Sequence, residues 1–215
     1  AALADGYSLS LARLGLGKDD VLVTQLPNIA EYPALYIAAL RLGIIVSPVP
    51  MQFRRHELEQ IVRFTGARTV LTVDAFKGAD HIGMALQSGA TLAAEGICLR
   101  VLSLRSAASG NTLPEGAIAF TAAPADDPRR AALPSHCAAL GVDADDIATI
   151  CWTSGTEGTP KGVPRSHNHW RAISWAHLRG AGIQPGETLL NPFPLVNMAA
   201  LGGCFMSWLH TGGTL

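Results

Sequence analysis

A ten-residue segment of glycines, hydroxyl side chains and one lysine has the composition of a polyphosphate-binding loop. It covers residues 153–162, reads TSGTEGTPKG and contains three glycines, three threonines and one serine. Glycine has no Cβ, so backbone N–H groups can approach anionic oxygens closely, and the hydroxyl groups add uncharged donors. Lys161 adds one positive charge on a flexible side chain. The candidate phosphate-binding residues are Thr153, Ser154, Gly155, Thr156, Glu157, Gly158, Thr159, Pro160 and Lys161.

The spacing within this segment differs from two better-known nucleotide-binding motifs. A P-loop needs four residues between its glycines and a Ser or Thr directly after the Lys. Here two residues separate Gly155 from Gly158, and Gly162 follows Lys161. A dinucleotide fingerprint is excluded as well, because the chain contains no G-x-G-x-x-G.

The loop is expected at the end of a strand, within an alternation of strands and helices. Residues 147–152 form a mostly apolar run that leads directly into it. Upstream, strand-like runs alternate with segments in which apolar residues recur every three or four positions. This alternation predicts an α/β fold with mostly parallel β-sheets flanked by helices, a fold that binds ligands at the carboxyl ends of its strands. Strands are predicted at residues 21–26, 44–49, 69–73, 97–103, 147–152 and 188–190, and helices at residues 31–42, 55–65, 76–87, 167–179 and 197–210.

Residues 104–146 interrupt the alternation, because four prolines break any helical or strand period. We interpret this segment as an irregular surface connection with at most one short helix. It separates a first α/β part at residues 1–103 from the phosphate-loop strand and the following α/β part at residues 147–215. The helix predicted at 167–179 begins several residues after the loop, which leaves open whether its dipole favours anion binding there.

Composition limits the partners and the compartment. The net charge is −1, and no block of basic residues indicates nucleic-acid binding. The most apolar stretch, residues 193–209, is too short and too interrupted for a membrane span, so it predicts a buried helix. The four cysteines form no C-x-x-C pair and no secretory signal is present, which favours free, mostly buried thiols in the cytoplasm.

Residues 153–167 resemble the TSGTTG-x-PKG-V signature of the adenylate-forming superfamily. That superfamily includes acyl-CoA synthetases, aryl-acid ligases, peptide-synthetase adenylation domains and luciferases. TSGT, PKG and V are in place, Ser166 and His167 follow at the family's spacing, and Glu157 stands where Thr or Ser is usual. Further similarities to the family lie at residues 14–21, 27–28, 39–48, 57–58 and 142–148. The chain thus resembles part of the family's N-terminal, AMP-binding domain.

The resemblance implies an enzyme that joins a carboxylic acid to the α-phosphate of ATP, releases pyrophosphate and passes the acyl group to a thiol. ATP, Mg²⁺ and CoA are the implied cofactors and substrates, with a carrier protein as the alternative acceptor. The loop would hold the β- and γ-phosphates, and Lys161 would stabilise the leaving group. The family's catalytic lysine and mobile C-terminal domain are expected beyond Leu215. We therefore expect residues 1–215 to be a truncated N-terminal domain that is inactive alone and prone to self-association.

Residues 191–198 resemble the family segment P-L-F-H-x-x-G, which implies that Asn197 and Met198 line the acid-binding pocket. Asn197 replaces the family's histidine, and asparagine is also a good cap for the helix that follows. His167 is interpreted as a structural residue near the loop rather than a general base. The indole side chains of Trp170, Trp175 and Trp208 are interpreted as core residues.

Glu157 is the loop residue whose charge suits a triphosphate least, because a carboxylate repels phosphate oxygens. It can meet Mg²⁺, pair with Lys161 or Arg165, or point to solvent, and we favour solvent. We expect Glu157→Thr in the full-length enzyme to leave the affinity for ATP unchanged or improved in calorimetric titrations. A large loss of ATP affinity would contradict this interpretation.

Three functions remain open on these grounds. The leading one is a carboxylate–CoA ligase for an apolar acid, such as a benzoate-type or medium-chain fatty acid. The second is an aryl-acid or amino-acid adenylation domain that loads a carrier protein. The third belongs to a different class, a non-catalytic nucleotide-binding or assembly module.

Overall fold

A computed structural model describes residues 1–105, 112–153 and 160–215. The α-helices in these ranges are α1 (Ala2–Arg13), α2 (Glu31–Arg41), α3 (Arg55–Thr65), α4 (His81–Ala93), α5 (Leu133–Ala139), α6 (His167–Ala181) and α7 (Met206–Thr211). A 3₁₀-helix covers Pro128–Ala132 and a π-helix covers Ala199–Phe205. The strands are β1 (Val21–Gln25), β2 (Ile45–Pro48), β3 (Thr69–Thr72), β4 (Ala75–Phe76), β5 (Ala79–Asp80), β6 (Arg100–Leu104), β7 (Ala117–Phe120), β8 (Ile147–Thr153) and β9 (Lys161–Ser166).

Seven of these strands form one sheet in the order β7-β6-β3-β1-β2-β8-β9. Every neighbouring pair is parallel except β8 and β9, which pair in antiparallel fashion. The remaining strands, β4 and β5, form a separate two-stranded hairpin. The predicted α/β class with a mostly parallel sheet and flanking helices is therefore confirmed.

Helices cover both faces of the central strands, which explains why those strands are runs of consecutive apolar residues. Leu22 of β1 packs with residues of α1, α2 and α6, whereas its neighbour Val23 packs with residues of α3 and α4. Successive side chains of a strand point to opposite faces, so the two layers are separate cores. We call them the α2 face and the α3 face of the sheet.

Local sequence signals set the ends of several helices. At the start of α3, the Glu57 carboxylate accepts a hydrogen bond from the backbone N–H of Arg54 at 2.8 Å. Helix α3 ends at Gly66, whose left-handed φ of 67° suits a residue without a Cβ. Ser166 caps α6, because its Oγ accepts a hydrogen bond from the backbone N–H of His169 at 3.2 Å.

The prediction of an irregular connection at residues 104–146 is wrong in its centre. Ala117–Phe120 forms β7, which pairs with β6 and extends the sheet. The 3₁₀-helix at Pro128–Ala132 and α5 follow it, so the described residues of the segment form two short helices rather than at most one. The prolines lie outside β7, where they do not interrupt its hydrogen bonds.

Other predicted elements differ from the structure as well. Helix α1 was not predicted, although Ala4, Tyr7 and Leu11 show helical spacing and are buried. The helix predicted at 76–87 begins only at His81, after the β4–β5 hairpin, and the strand predicted at 188–190 is reduced to one bridge between Thr188 and Thr214. The helix predicted at 197–210 is divided into the π-helix and α7.

All four cysteines are free thiols, as predicted, but only Cys151 is buried. Cys98 is exposed, while Cys137 and Cys204 are partly accessible, so the prediction of mostly buried thiols is wrong. Within the described part of the chain, no helix combines the length and the apolar character that crossing a membrane requires.

His81 is a buried histidine at the start of α4, near the carboxyl ends of β1 and β3. Its Nδ1 lies 3.4 Å from Oε1 of Gln25, and Gln25 Nε2 donates hydrogen bonds to the carbonyls of Pro50 and Phe53. Burial lowers the pKa of His81, and the positive charge of Arg54 lowers it further, against the opposite effect of Asp80. The folded state therefore favours the neutral imidazole.

The lowered pKa predicts a loss of stability in acid. The unfolded chain takes up the proton near the ordinary histidine pKa of about 6.5, before the folded state does. The free energy of unfolding should thus fall as the pH drops below that value, by at most about 1.4 kcal/mol per pH unit for one histidine. Urea titrations between pH 8 and pH 5 should show a weaker pH dependence for His81→Gln. The exposed His136, changed to Gln, serves as the control and should retain the wild-type dependence.

Candidate phosphate-binding site

The loop is closed at its base by the antiparallel pair of β8 and β9. Thr153, the last residue of β8, lies directly opposite Lys161, the first residue of β9. Lys161 is exposed, whereas Pro160 beside it is buried. The structure thus brings together Thr153, Pro160 and Lys161 of the predicted site. The other predicted loop residues, Ser154, Gly155, Thr156, Glu157, Gly158 and Thr159, lie outside the described residues.

Trp152 and Gly162 pack against each other at this base. A Cβ on Gly162 would lie 3.1 Å from Cη2 of Trp152 and 3.0 Å from Cγ2 of Ile150, closer than ordinary van der Waals contact. The indole Nε1 of Trp152 donates a hydrogen bond of 2.8 Å to Oγ of the buried Ser47 in β2. Gly162 does not have a positive φ. The presence of glycine at this position is therefore explained by the close packing and not by a need for backbone freedom.

The start of α6 lies far from the loop, at the opposite end of β9. Ser166, which caps α6, is paired with Ile147 at the amino end of β8. At about 3.4 Å per residue, the five steps of β9 separate it from Lys161 by about 17 Å. The dipole of α6 consequently acts at the amino ends of the parallel strands, whereas the loop follows the carboxyl end of β8. It therefore cannot assist anion binding by the loop. His167, which follows Ser166, is therefore not near the loop base at Lys161, which corrects that part of its interpretation. Burial lowers its pKa, partly offset by Asp146.

Asn28 connects the carboxyl end of β1 to the segment that resembles the acid-binding part of the family. Its Nδ2 donates to the carbonyl of Phe193 at 2.9 Å, and its Oδ1 accepts from the backbone N–H of Leu195 at 2.9 Å. The buried phenol of Tyr36 donates to the Leu195 carbonyl at 3.2 Å. Burial raises the pKa of Tyr36 well above its ordinary value, so the phenol keeps the proton that it donates. Sequence reasoning noted Asn28 only as a family match and missed this positioning role.

We expect Asn28→Ala to loosen residues 193–195, because two hydrogen bonds to their backbone are lost. Such bonds contribute about 0.5–1.5 kcal/mol each. Hydrogen exchange measured by NMR should show faster exchange of the Leu195 amide in this variant. Asn168→Ala is the matched control, because Asn168 donates its hydrogen bond to Asp145 at the other end of the sheet, near the amino end of β8. Unchanged protection at Leu195 would contradict the positioning role.

Asn197 performs the capping role that its residue type predicted. Its Oδ1 accepts a hydrogen bond of 2.7 Å from the backbone N–H of Ala200, in the first turn of the π-helix. Met198 packs against the apolar residues of the α2 face. Its Sδ lies 4.0 Å from Nη2 of Arg165, a residue of β9. Whether Asn197 and Met198 contact a substrate remains a prediction.

Trp170, Trp175 and Trp208 were predicted to be core residues, and the structure shows that they differ in burial. Trp170 is buried, and its Nε1 donates a hydrogen bond of 3.0 Å to Oγ1 of Thr149 in β8. Trp208 is partly buried against the same core. Trp175 is 44% exposed, so its assignment to the core is wrong.

A cavity of about 680 Å³ opens beside Lys161 on the α3 face. Apolar side chains dominate its walls, which include Ile45, Ile150, Trp152 and the exposed ring of Phe64. Asn197 and Met198 do not line it, because they lie on the α2 face. Among the described residues, no group of three His, Cys, Asp or Glu side chains could hold a metal ion.

A glycine-rich loop at the carboxyl end of a strand in an open parallel sheet is the arrangement of α/β proteins that bind phosphorylated ligands. The chain belongs to the family of AMP-binding enzymes, whose model matches residues 1–215. This match agrees with the resemblance of the loop to the adenylate-forming signature.

Two curated relatives illustrate the family. The long-chain-fatty-acid–CoA ligase FadD13 of Mycobacterium tuberculosis is 29% identical over 210 residues, which cover 93% of this chain and 35% of that protein. A salicylyl-CoA synthase / salicylate adenylyltransferase from a Streptomyces species is 28% identical over 204 residues, covering 89% of this chain and 33% of that protein. The chain thus spans about a third of the length of these relatives.

A solved structure shares the fold. The ATP-bound crystal structure of MatB from Rhodopseudomonas palustris superposes with a TM-score of 0.70 and 22% identity. The match covers 99% of this chain and 38% of that protein.

Proposed function

We propose that this chain is the phosphate-binding part of an ATP-dependent carboxylate–CoA ligase. In the proposed reaction, a carboxylate oxygen attacks the α-phosphorus of ATP and pyrophosphate leaves. The sulfur of CoA then attacks the acyl carbon and AMP leaves. Because the chain spans about a third of its relatives, the activity is proposed for the whole protein.

The observation that carries this proposal is the pairing of Thr153 with Lys161 below the loop that bears the family signature. An exposed lysine and a threonine hydroxyl at one loop base supply donors that fit phosphate oxygens, and the lysine charge opposes the charge of departing pyrophosphate. The antiparallel pair holds both residues on adjacent strands. Their relative position is therefore set before a nucleotide binds, which is the preorganisation that electrostatic stabilisation requires.

The described residues suit ATP better than they suit a protein-bound Mg²⁺. Mg²⁺ is held by few protein carboxylates and largely by water and substrate phosphates. Since no group of three His, Cys, Asp or Glu side chains among the described residues could hold a metal ion, Mg²⁺ would enter this site chiefly as a partner of the nucleotide phosphates.

The test is exchange of labelled pyrophosphate into ATP by the complete gene product, with a panel of apolar carboxylic acids. The proposal expects exchange that depends on both the acid and the enzyme. Thioester formation should then be measured with CoA and, in parallel, with a carrier protein. Transfer to CoA supports the proposal, transfer only to a carrier protein supports the adenylation-domain alternative, and no exchange with any acid rejects both.

A further inference from the structure

Arg165 is a partly exposed arginine of β9 whose described hydrogen-bond acceptor is a sulfur atom, Sδ of Met198. Arg100 of β6 also makes no ion pair among the described residues, but its Nη1 donates to the carbonyl of Leu14 at 2.6 Å. Ion pairs with carboxylates are made by Lys18, Arg41, Arg55, Arg63, Arg105, Arg129 and Arg130. Arg165 has no carboxylate partner among the residues that the structure describes, although it is only partly exposed. A guanidinium has five N–H donors and no acceptor, so a partly buried one without an anion leaves hydrogen-bonding capacity unused.

The side chain of Arg165 lies on the α2 face. Arg165 pairs with Thr149 of β8, and Thr149 accepts the hydrogen bond of Trp170 on that face. Opposite residues of paired strands project to the same side of a sheet. Burial raises the pKa of the Cys151 thiol and the charge of Arg165 opposes this rise, which is consistent with an Arg165 side chain near that buried thiol.

The guanidinium points at Met198, in the segment 191–198 that the family resemblance predicts to line the acid-binding pocket. Nη2 lies 4.0 Å from Sδ of Met198, a weak acceptor, while Nε is buried and has no hydrogen-bond partner among the described residues. The surrounding cluster on the α2 face is apolar and includes Leu195 and Val196. A cation in such surroundings favours an anionic or strongly accepting partner.

We propose that Arg165 determines substrate specificity by binding a second oxygen acceptor on the acid, such as a hydroxyl group or a second carboxylate. This inference rests on the proposed function and refines it. The body of the acid is apolar, and its far end carries one acceptor. Arg165 lies four steps along β9 from Lys161, a distance of about 14 Å. The acceptor therefore lies remote from the carboxylate that reacts beside the phosphates.

Two matched pairs of acids test the inference in the complete gene product: heptanoate with heptanedioate, and benzoate with 4-hydroxybenzoate. The wild-type protein should prefer the acceptor-bearing member of at least one pair by about tenfold or more in kcat/KM for pyrophosphate exchange. Arg165→Leu should abolish the preference by lowering kcat/KM for the acceptor-bearing acid alone. Arg165→Lys should retain part of it, because the charge remains. The exposed Arg171, changed to Leu, is the matched control and should leave the preference unchanged.

Two further measurements separate this role from a structural one. Calorimetric titration of the same acids should show the same loss of selective binding in Arg165→Leu. The thermal midpoint of Arg165→Leu should be unchanged or higher, because the variant removes a buried donor without a described partner. Equal effects on both members of each pair, or a lowered midpoint with selectivity intact, would overturn the inference while the proposed function stands. Absence of exchange with every acid rejects the proposed function. The inference about Arg165 is then judged by calorimetry alone, and it is overturned if selective binding of the acids does not depend on Arg165.

Discussion

Lys161→Met should lower kcat/KM for pyrophosphate exchange by the complete gene product about 10²–10³-fold. The methionine keeps most of the length of the side chain but removes the charge and its three donors. A single donor aimed at developing negative charge typically has an effect of this size when it is removed. Lys161 is placed for that role by its pairing with Thr153 at the loop base, and its exposure leaves the ammonium accessible to a ligand.

Lys77→Met is the matched control for this prediction. Lys77 is exposed in the turn between β4 and β5, where its ammonium lies 5.5 Å from the ring of Phe76. Its replacement removes the same charge from the chain at a distance from the loop, so exchange should remain near the wild-type rate. A reduction of less than tenfold in Lys161→Met, or an equal reduction in Lys77→Met, would count against phosphate binding by Lys161.

Trp170→Ala should destabilise the fold by about 3–5 kcal/mol in urea unfolding. Trp170 is 1% exposed and lies between β8 and the π-helix. A Cβ on Gly202 of the π-helix would lie 3.2 Å from Cζ3 of Trp170, which shows how closely the indole is packed. Truncation leaves a cavity and an unused acceptor at Thr149. The whole stability of a domain is about 5–15 kcal/mol, so this loss should shift the transition strongly.

Trp175→Ala provides the comparison within the same helix. Its indole is 44% exposed and contacts mainly the ring of His210 and the guanidinium of Arg179. We expect a loss of about 1 kcal/mol or less, as is usual for surface substitutions. Equal destabilisation by the two variants would show that burial does not distinguish them. Trp170→Phe should lie between the two, since it keeps a ring but loses the hydrogen bond to Thr149.

The strands of the central sheet could be predicted because both of their faces are buried. Runs such as Val21–Gln25 and Thr69–Thr72 contain consecutive residues that pack on opposite layers, and this produces an apolar pattern that few other structures share. Short edge strands lack the pattern. Ile118 of β7 is 42% exposed, and β9 contains both Gly162 and Pro164. Neither of these two segments is therefore predicted as a strand from its sequence. Proline is tolerated in β9 because that strand lies at the edge of the sheet.

The sequence by itself predicted the phosphate-binding chemistry of the loop and the α/β class, because residue types and their spacing carry both. The α/β class is confirmed, and the role of the loop stays a prediction. Only the tertiary structure decided the direction in which the chain leaves the loop. Because β9 pairs antiparallel to β8, the chain runs back to the amino ends of the parallel strands. Helix α6 begins there, so its dipole cannot assist the binding of an anion at the loop. Contacts between residues distant in the chain were also decided there: Asn28 with Leu195, Trp152 with Ser47, and Arg165 with Met198. Such contacts follow from packing of the whole sheet and leave no local pattern in the sequence.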